Sequence, residues 1–322
     1  MKKTLAFLFA LSLAGTAFAQ RDVDTRAGSL DKTADDVTAA PQRHFPVNPD
    51  GTSRQVRMVD EIDNNMVADS VAPRKSEQQI RVIVPEAVNL TYHGGDVINT
   101  AHVVCIFWGP TWNGGSDASN AAALQAFRSQ LGTSSHYSML TQYYDANYIN
   151  TTNLQGSQPD WFDTTNALPS NGNVSDSTVR AEVNRYTAAH GTNSSTIYEV
   201  FLPKYVPGTS TLVYSSDGSS DSCGGPNLAY CAYHSNNGST KYSIEPYPSC
   251  SGCQWSGWTV AQNMEHFMVH ETREAVTDAT GTAWWDSSGY EADDKCAWTG
   301  LFISNGFGYQ PEWSNLAHGC VQ

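Results

Sequence analysis

The sequence predicts an α+β domain, and three observations carry that expectation. Residues 101–108, Ala-His-Val-Val-Cys-Ile-Phe-Trp, form an unbroken apolar, β-branched and aromatic run stopped by Gly109-Pro110. Such a run suits a central strand buried on both faces. Two later segments carry apolar residues at helical spacing behind capping residues. Strand-like and helical segments then follow one another without strict alternation, which favours α+β over a doubly wound sheet.

After the central strand, Asp117 and Ser119 offer caps to a helix over residues 121–131, where Leu124, Phe127 and Leu131 share a face. A second helix is expected over residues 139–144. Ser175 or Asp176 caps a third, which carries Val179, Val183 and Tyr186 and stops at His190-Gly191. Residues 197–202, 230–234 and 242–247 read as strands, the last two behind Gly/Ser-rich turns. Residues 264–278 have the composition of a helix, with Phe267, Met268, Ala275 and Val276 available for packing.

The chain opens with Lys2 and Lys3, an apolar run over residues 5–13 and the small-x-small site Ala17-Phe18-Ala19. Residues 1–19 therefore read as a secretory signal peptide, which predicts a secreted protein, extracellular or periplasmic. No later window reaches the roughly 20 apolar residues of a spanning helix, so no transmembrane segment is expected. Residues 20–86 hold 21 charged side chains in 67 positions, against 27 in 236 for residues 87–322, and show no sustained period. They read as a linker or pro-segment ahead of one domain, 87–322, or alternatively as a strap lying on that domain through residues 80–85.

Eighteen Lys and Arg against 32 Asp and Glu leave a formal net charge of −14. That balance repels nucleic-acid phosphates, and nucleic acid is not an expected partner. All seven cysteines lie beyond the signal segment, and an oxidising compartment lets six of them pair. Cys105 sits inside the buried run and is left as a free core thiol. Local spacing favours Cys223 with Cys231, Cys250 with Cys253, and Cys296 with Cys320. Neither a phosphate-binding glycine loop nor a Gly-x-Ser-x-Gly elbow is present.

The chemistry-bearing segment runs from residue 260 to residue 298. On a helix, positions four apart lie about 40° apart around the axis, so His266, His270 and Glu274 form one stripe able to present metal ligands together. Glu271 projects about 100° from His270, placed to act as general base on a water held by the same ion. This is the logic of the H-E-x-x-H helix, with Glu274 where the second histidine normally stands. Ser287-Ser288-Gly289 is a turn that can bring Glu291 back over the helix as third ligand. Asp294 is an alternative ligand or a group orienting His270, and Asp293 a solvated neighbour. An imidazole with carboxylates points to one divalent ion, zinc first. The same residues also fit a blander reading, in which His270 fills a core position and the acids face solvent.

The sequence resembles the EXORDIUM-like, or phosphate-induced, protein family of plants and its bacterial relatives. The resemblance rests on His270-Glu271-x-x-Glu274-Ala275-x-Thr277-Asp278, Ala283-Trp284-Trp285, Glu291-x-x-Asp294-x-Cys296, Cys250-Ser251-Gly252-Cys253-Gln254-Trp255, Cys231-Ala232-Tyr233-His234 and Phe107-Trp108-Gly109. It spans residues 95–321 and is specific toward the carboxy terminus. His266 has no counterpart in the pattern, and the plant proteins carry a longer insertion before Glu291. The family helix looks like the active helix of zincin metallopeptidases. The resemblance thus implies a zincin-like α+β fold: a mixed twisted sheet preceding a metal-site helix, with disulfide-stapled loops. Two functions follow as expectations. One is a metal-dependent, peptidase-like hydrolase with Glu271 as base, acting on an extracellular peptide. The other is a non-catalytic module with a structural ion or a structural acidic cluster, binding a cell-wall or other surface polymer through exposed Trp and Tyr.

Overall fold

The computed structural model describes residues 67–70 and 88–322, except 217 and 219. The signal peptide expected at residues 1–19, most of the charged stretch 20–86 and the strap expected at residues 80–85 lie outside the described residues. Among the described residues, no helix is long and apolar enough to cross a membrane.

The expected central strand is β3 (His102–Trp108). Its side chains alternate between two buried clusters: Val103, Cys105 and Phe107 on one face, Val104, Ile106 and Trp108 on the other. Packing on both faces explains why the run shows no polar alternation. Helix α1 (Ala118–Leu131) covers the first face with Ala121, Leu124, Phe127 and Leu131. Asp117 stands at its N-cap without a side-chain capping bond. The helix expected over residues 139–144 is a 3-10 turn, Met139–Gln142, preceded by the four-residue α2 (Ser135–Ser138). Strand β4 (Trp161–Asp163) pairs parallel with β3. Helix α3 (Asp176–His190) covers the second face, capped by the Ser175 hydroxyl, which accepts from the Thr178 amide, and stopped at Gly191 at φ +81°.

Strand β6 (Thr196–Phe201) lies parallel to β3, and β9 (Thr240–Glu245) parallel to β6. Strand β8 (Tyr230–Asn237) runs antiparallel to β9 through a tight turn in which Gly238 adopts φ +62°. Val67–Ser70, here β1, pairs antiparallel with the far side of β8. The result is one six-stranded mixed sheet, in the order β1-β8-β9-β6-β3-β4.

Helix α4 (Val260–Thr277) follows the sheet in the chain and packs beside α1 on its first face. A capping box fixes its start: Thr259 Oγ1 accepts from the Gln262 amide and Gln262 Oε1 from the Thr259 amide. The hairpin of β11 (Phe302–Ser304) and β12 (Phe307–Tyr309) lies against it. A Cβ on Gly308 would fall 2.3 Å from Gln262 O, so only glycine permits that approach.

Three disulfides staple the carboxy-terminal half. Cys296–Cys320 forms as the spacing suggested, and Cys105 is buried and free. The other two bridges correct the expectation: Cys223 joins Cys250 and Cys231 joins Cys253. Cys231 lies within β8, with its side chain in the cluster that also contains Cys253 and Phe267 of α4. The two strand-proximal cysteines therefore reach across to the loop before α4 instead of to each other. The architecture is α+β, as the residues predicted, with the mixed sheet that the resemblance implied.

Candidate metal centre

Helix α4 brings His270 and Glu274 together as the four-residue spacing requires, with Nε2 3.2 Å from Oε2. The turn beyond α4 also forms: Gly289 takes φ +80°, its amide donates to Asp286 O, and Asp286 Oδ1 accepts from the Ser288 and Tyr290 amides. It returns the chain over α4. The Asp294 amide donates to Glu274 Oε1 at 2.8 Å, and Asp294 Oδ1 lies 3.8 Å from His270 Nε2.

A residue from the sheet completes the group. His234 on β8 places Nδ1 3.1 Å from Glu271 Oε2 and 3.7 Å from Glu274 Oε2, and Nε2 3.8 Å from Glu291 Oε1. Two overlapping triads result, His234/Glu274/Glu291 and His270/Glu271/Glu274, each with ligand atoms within 4.8 Å of one another. His234 sits 36 residues before His270, so helical periodicity carried no hint of it. The available signal was a lone imidazole in an otherwise apolar strand, Tyr230-Cys231-Ala232-Tyr233-His234.

His266 shares the α4 stripe but not the cluster. Its Nε2 meets Gln310 Oε1 at 2.8 Å and its ring packs edge-on against Trp298. Burial and the neighbouring His270 hold its pKa down to about 3, so it is a neutral core imidazole. Asp293 is likewise not the solvated neighbour expected. It is buried and chelated by the Arg273 guanidinium, whose Nε donates to Oδ2 at 3.1 Å. Arg273 also donates to the carbonyls of His136 and Gln310 and stands 3.6 Å from Glu312 Oε2. It thereby locks α4 to the loop carrying Glu291 and Asp294.

All six groups are buried, from 0% exposure at His270, Glu271 and Glu274 to 6% at Asp294. Four carboxylates stand against two imidazoles, and the ion-pair distances link each carboxylate to an imidazole. Burial raises the Glu274 carboxyl, and the His270 and His234 rings outweigh it, leaving its pKa below the ordinary value. With all four carboxylates ionised and both rings protonated the group would carry two excess negative charges, which a low-dielectric interior relieves by taking up protons or a cation. The donor set, imidazole nitrogens with carboxylate oxygens at mutual distances of 3–4 Å, fits a divalent ion of the zinc class. A third group of candidate ligands, Cys223, Cys250 and Cys253, has its sulfurs committed to the two bridges.

Comparison of the chain with protein-family models, with curated proteins and with solved structures returns no match.

Proposed function

We propose that this is a secreted, EXORDIUM-like protein with a zincin-like fold, and that its cluster binds one zinc ion for peptidase-like hydrolysis. The carrying observation is the convergence of two imidazoles and four carboxylates, buried together with their ligand atoms within a few ångströms of one another. His270, Glu274 and His234 or Glu291 would hold the ion, with Asp294 beside His270. Bound zinc supplies a Lewis acid and lowers the pKa of its water toward 7. Glu271 would take the proton of a water held there, and His234, whose Nδ1 lies 3.1 Å from Glu271 Oε2, would hold that carboxylate in place for it. The order of elements supports the fold assignment: a mixed sheet with an antiparallel strand, β8, bordering β9, followed by the H-E-x-x-E helix. Three disulfides support an oxidising compartment.

Burial of Glu271 favours a second reading, a structural ion in a non-catalytic module that binds an extracellular surface polymer. One set of measurements separates them. Protein purified without chelator should carry close to one equivalent of zinc, lost in His270→Ala and retained in His266→Leu. Glu271→Gln should keep the ion and lose hydrolysis of a casein or peptide-library substrate. Zinc retained in a wild type that cleaves nothing selects the structural ion, and a wild type without metal that ignores added zinc and chelators ends both readings.

A further inference from the structure

Two neighbouring residues of α4 reach the sheet through their side chains. Glu271 meets His234 of β8, and the Thr272 hydroxyl donates to Glu199 Oε1 of β6. The register sets both sheet residues in one row across the strands, Cys105↔Glu199, Glu199↔Ser243 and Ser243↔His234. Strand β9 lies between β6 and β8, so the two holds stand about 10 Å apart at the backbone. Both members of the second hold break the pattern around them. Ile197 and Phe201, two residues to either side of Glu199, belong to the apolar cluster under α4, as do Met268 and Val276, four to either side of Thr272. Glu199 and Thr272 are fully buried, and Glu199 Oε2 meets no hydrogen-bond donor among the described residues. Burial raises the Glu199 pKa, with the Thr272 hydroxyl and Arg128 pulling the other way. An apolar pair at these two positions would cost less.

A buried polar pair in an apolar interface does one thing that apolar contacts do not: it marks a single register. Apolar contact is non-directional and tolerates a small slide or turn of the helix, whereas the Thr272 hydroxyl reaches Glu199 from one placement of α4. We infer that Glu199 and Thr272 are positioning residues of the centre, fixing the rotation and height of α4 on the sheet so that Glu271 stays on His234. The two holds brace one another. Neighbouring helix positions diverge by about 100°, so Glu271 and Thr272 splay toward different strands, and α4 cannot turn about its axis without breaking one of them. The catalytic part given to Glu271 rests on the proposed hydrolysis, while the grip of Thr272 on Glu199 and its effect on the cluster do not.

The test is Glu199→Leu with Thr272→Val in the full chain. Both replacements stay close in volume to the side chains they displace, so urea unfolding should show a stability equal to wild type or higher. Zinc affinity, read by competition with a chromophoric chelator, should nonetheless fall about tenfold or more, the usual cost of disturbing the groups behind metal ligands. Thr272→Ser retains the hydroxyl and should bind zinc within about twofold of wild type. A pair with a merely structural role would move stability and leave affinity alone, so equal affinity in the double variant and wild type overturns the inference. A second readout needs no metal and keeps this failure apart from failure of the zinc reading. In metal-free protein labelled with 15N-histidine, at a single pH, the His234 ring resonances are assigned by their loss in His234→Gln. They should shift in the double variant and hold in Thr272→Ser. If wild type binds no zinc, the zinc reading falls and these resonances decide: unmoved in the double variant, they overturn the inference. Should the double variant fail to fold, Thr272→Val alone carries the same two expectations, a fall in affinity and a shift of the ring resonances.

Discussion

Arg273 is the place to test whether the centre depends on the clamp behind it. Replacing it by Met keeps the aliphatic stem and removes the guanidinium that meets Asp293, Glu312 and the carbonyls of His136 and Gln310. Asp293 and Glu312 are both buried, so the substitution strands two carboxylates in the interior. Breaking a buried pair from one side costs about 3–5 kcal/mol. For a domain of this size each kcal/mol shifts Tm by about 2–4 °C, so calorimetry should record a fall on the order of 10 °C. Adding Asp293→Asn should recover part of that loss, because one orphaned charge is then gone. The same variant should bind zinc more weakly, since the loop presenting Glu291 and Asp294 is no longer pinned. A single variant within about 0.5 kcal/mol of wild type, the range of an ordinary surface change, would refute the clamp.

Peptide mapping without reductant should recover Cys223 linked to Cys250 and Cys231 to Cys253; removing the second bridge by Cys231→Ser with Cys253→Ser should cost about 3 kcal/mol for a separation of 22 residues. Away from the centre, the buried carboxyls of Asp163 and Glu182 act on one another. Burial and Asp163 lift Glu182 to about 8 despite the Arg185 guanidinium, whose exposed position weakens its hold. A raised carboxyl pKa contributes stability that is complete below the unfolded value and lost as pH climbs toward 8. Stability should therefore decline from about pH 5 to pH 8, and Glu182→Gln should flatten that decline and gain on the order of 2 kcal/mol at pH 8. An identical pH profile in variant and wild type would remove the Glu182 carboxyl from the account.

What the sequence disclosed was whatever depends on neighbours along the chain. The apolar run of β3, the Ser175 cap and Gly191 stop of α3, and the four-residue spacing of His270 and Glu274 are local signals, and each appears in the fold. His234, Asp293 and the crossed cysteines depend on which strand lies beside which helix, and no local period encodes that. Asp293 looked solvated because it sits among acids, yet its partner Arg273 lies 20 residues away across a turn. His266 misled in the opposite sense: it has the right phase on α4, but it lies a turn closer to the helix start, beside Gln310 and Trp298. The pairing of β1 was illegible for a further reason, since four residues in a polar stretch carry too little pattern to mark a strand.

The two bridges that tie β8 to the approach of α4 are interleaved: Cys231 lies inside the loop closed by Cys223 and Cys250, and Cys250 inside the loop closed by Cys231 and Cys253. In a reduced chain the shorter closures are entropically easier. Cys223 and Cys231 are eight residues apart, against 27 for the native partner of Cys223, an advantage of about 1 kcal/mol to the wrong bond. Oxidation of the reduced chain thus favours a scrambled isomer in which the strand bearing His234 and the helix bearing His270 are not joined. Only thiolate attack on those early bonds lets the interlocked pair form. A reshuffling thiol beside the oxidant returns chains caught in the short closures to the interlocked pair, and in those chains assembly of the centre waits for it.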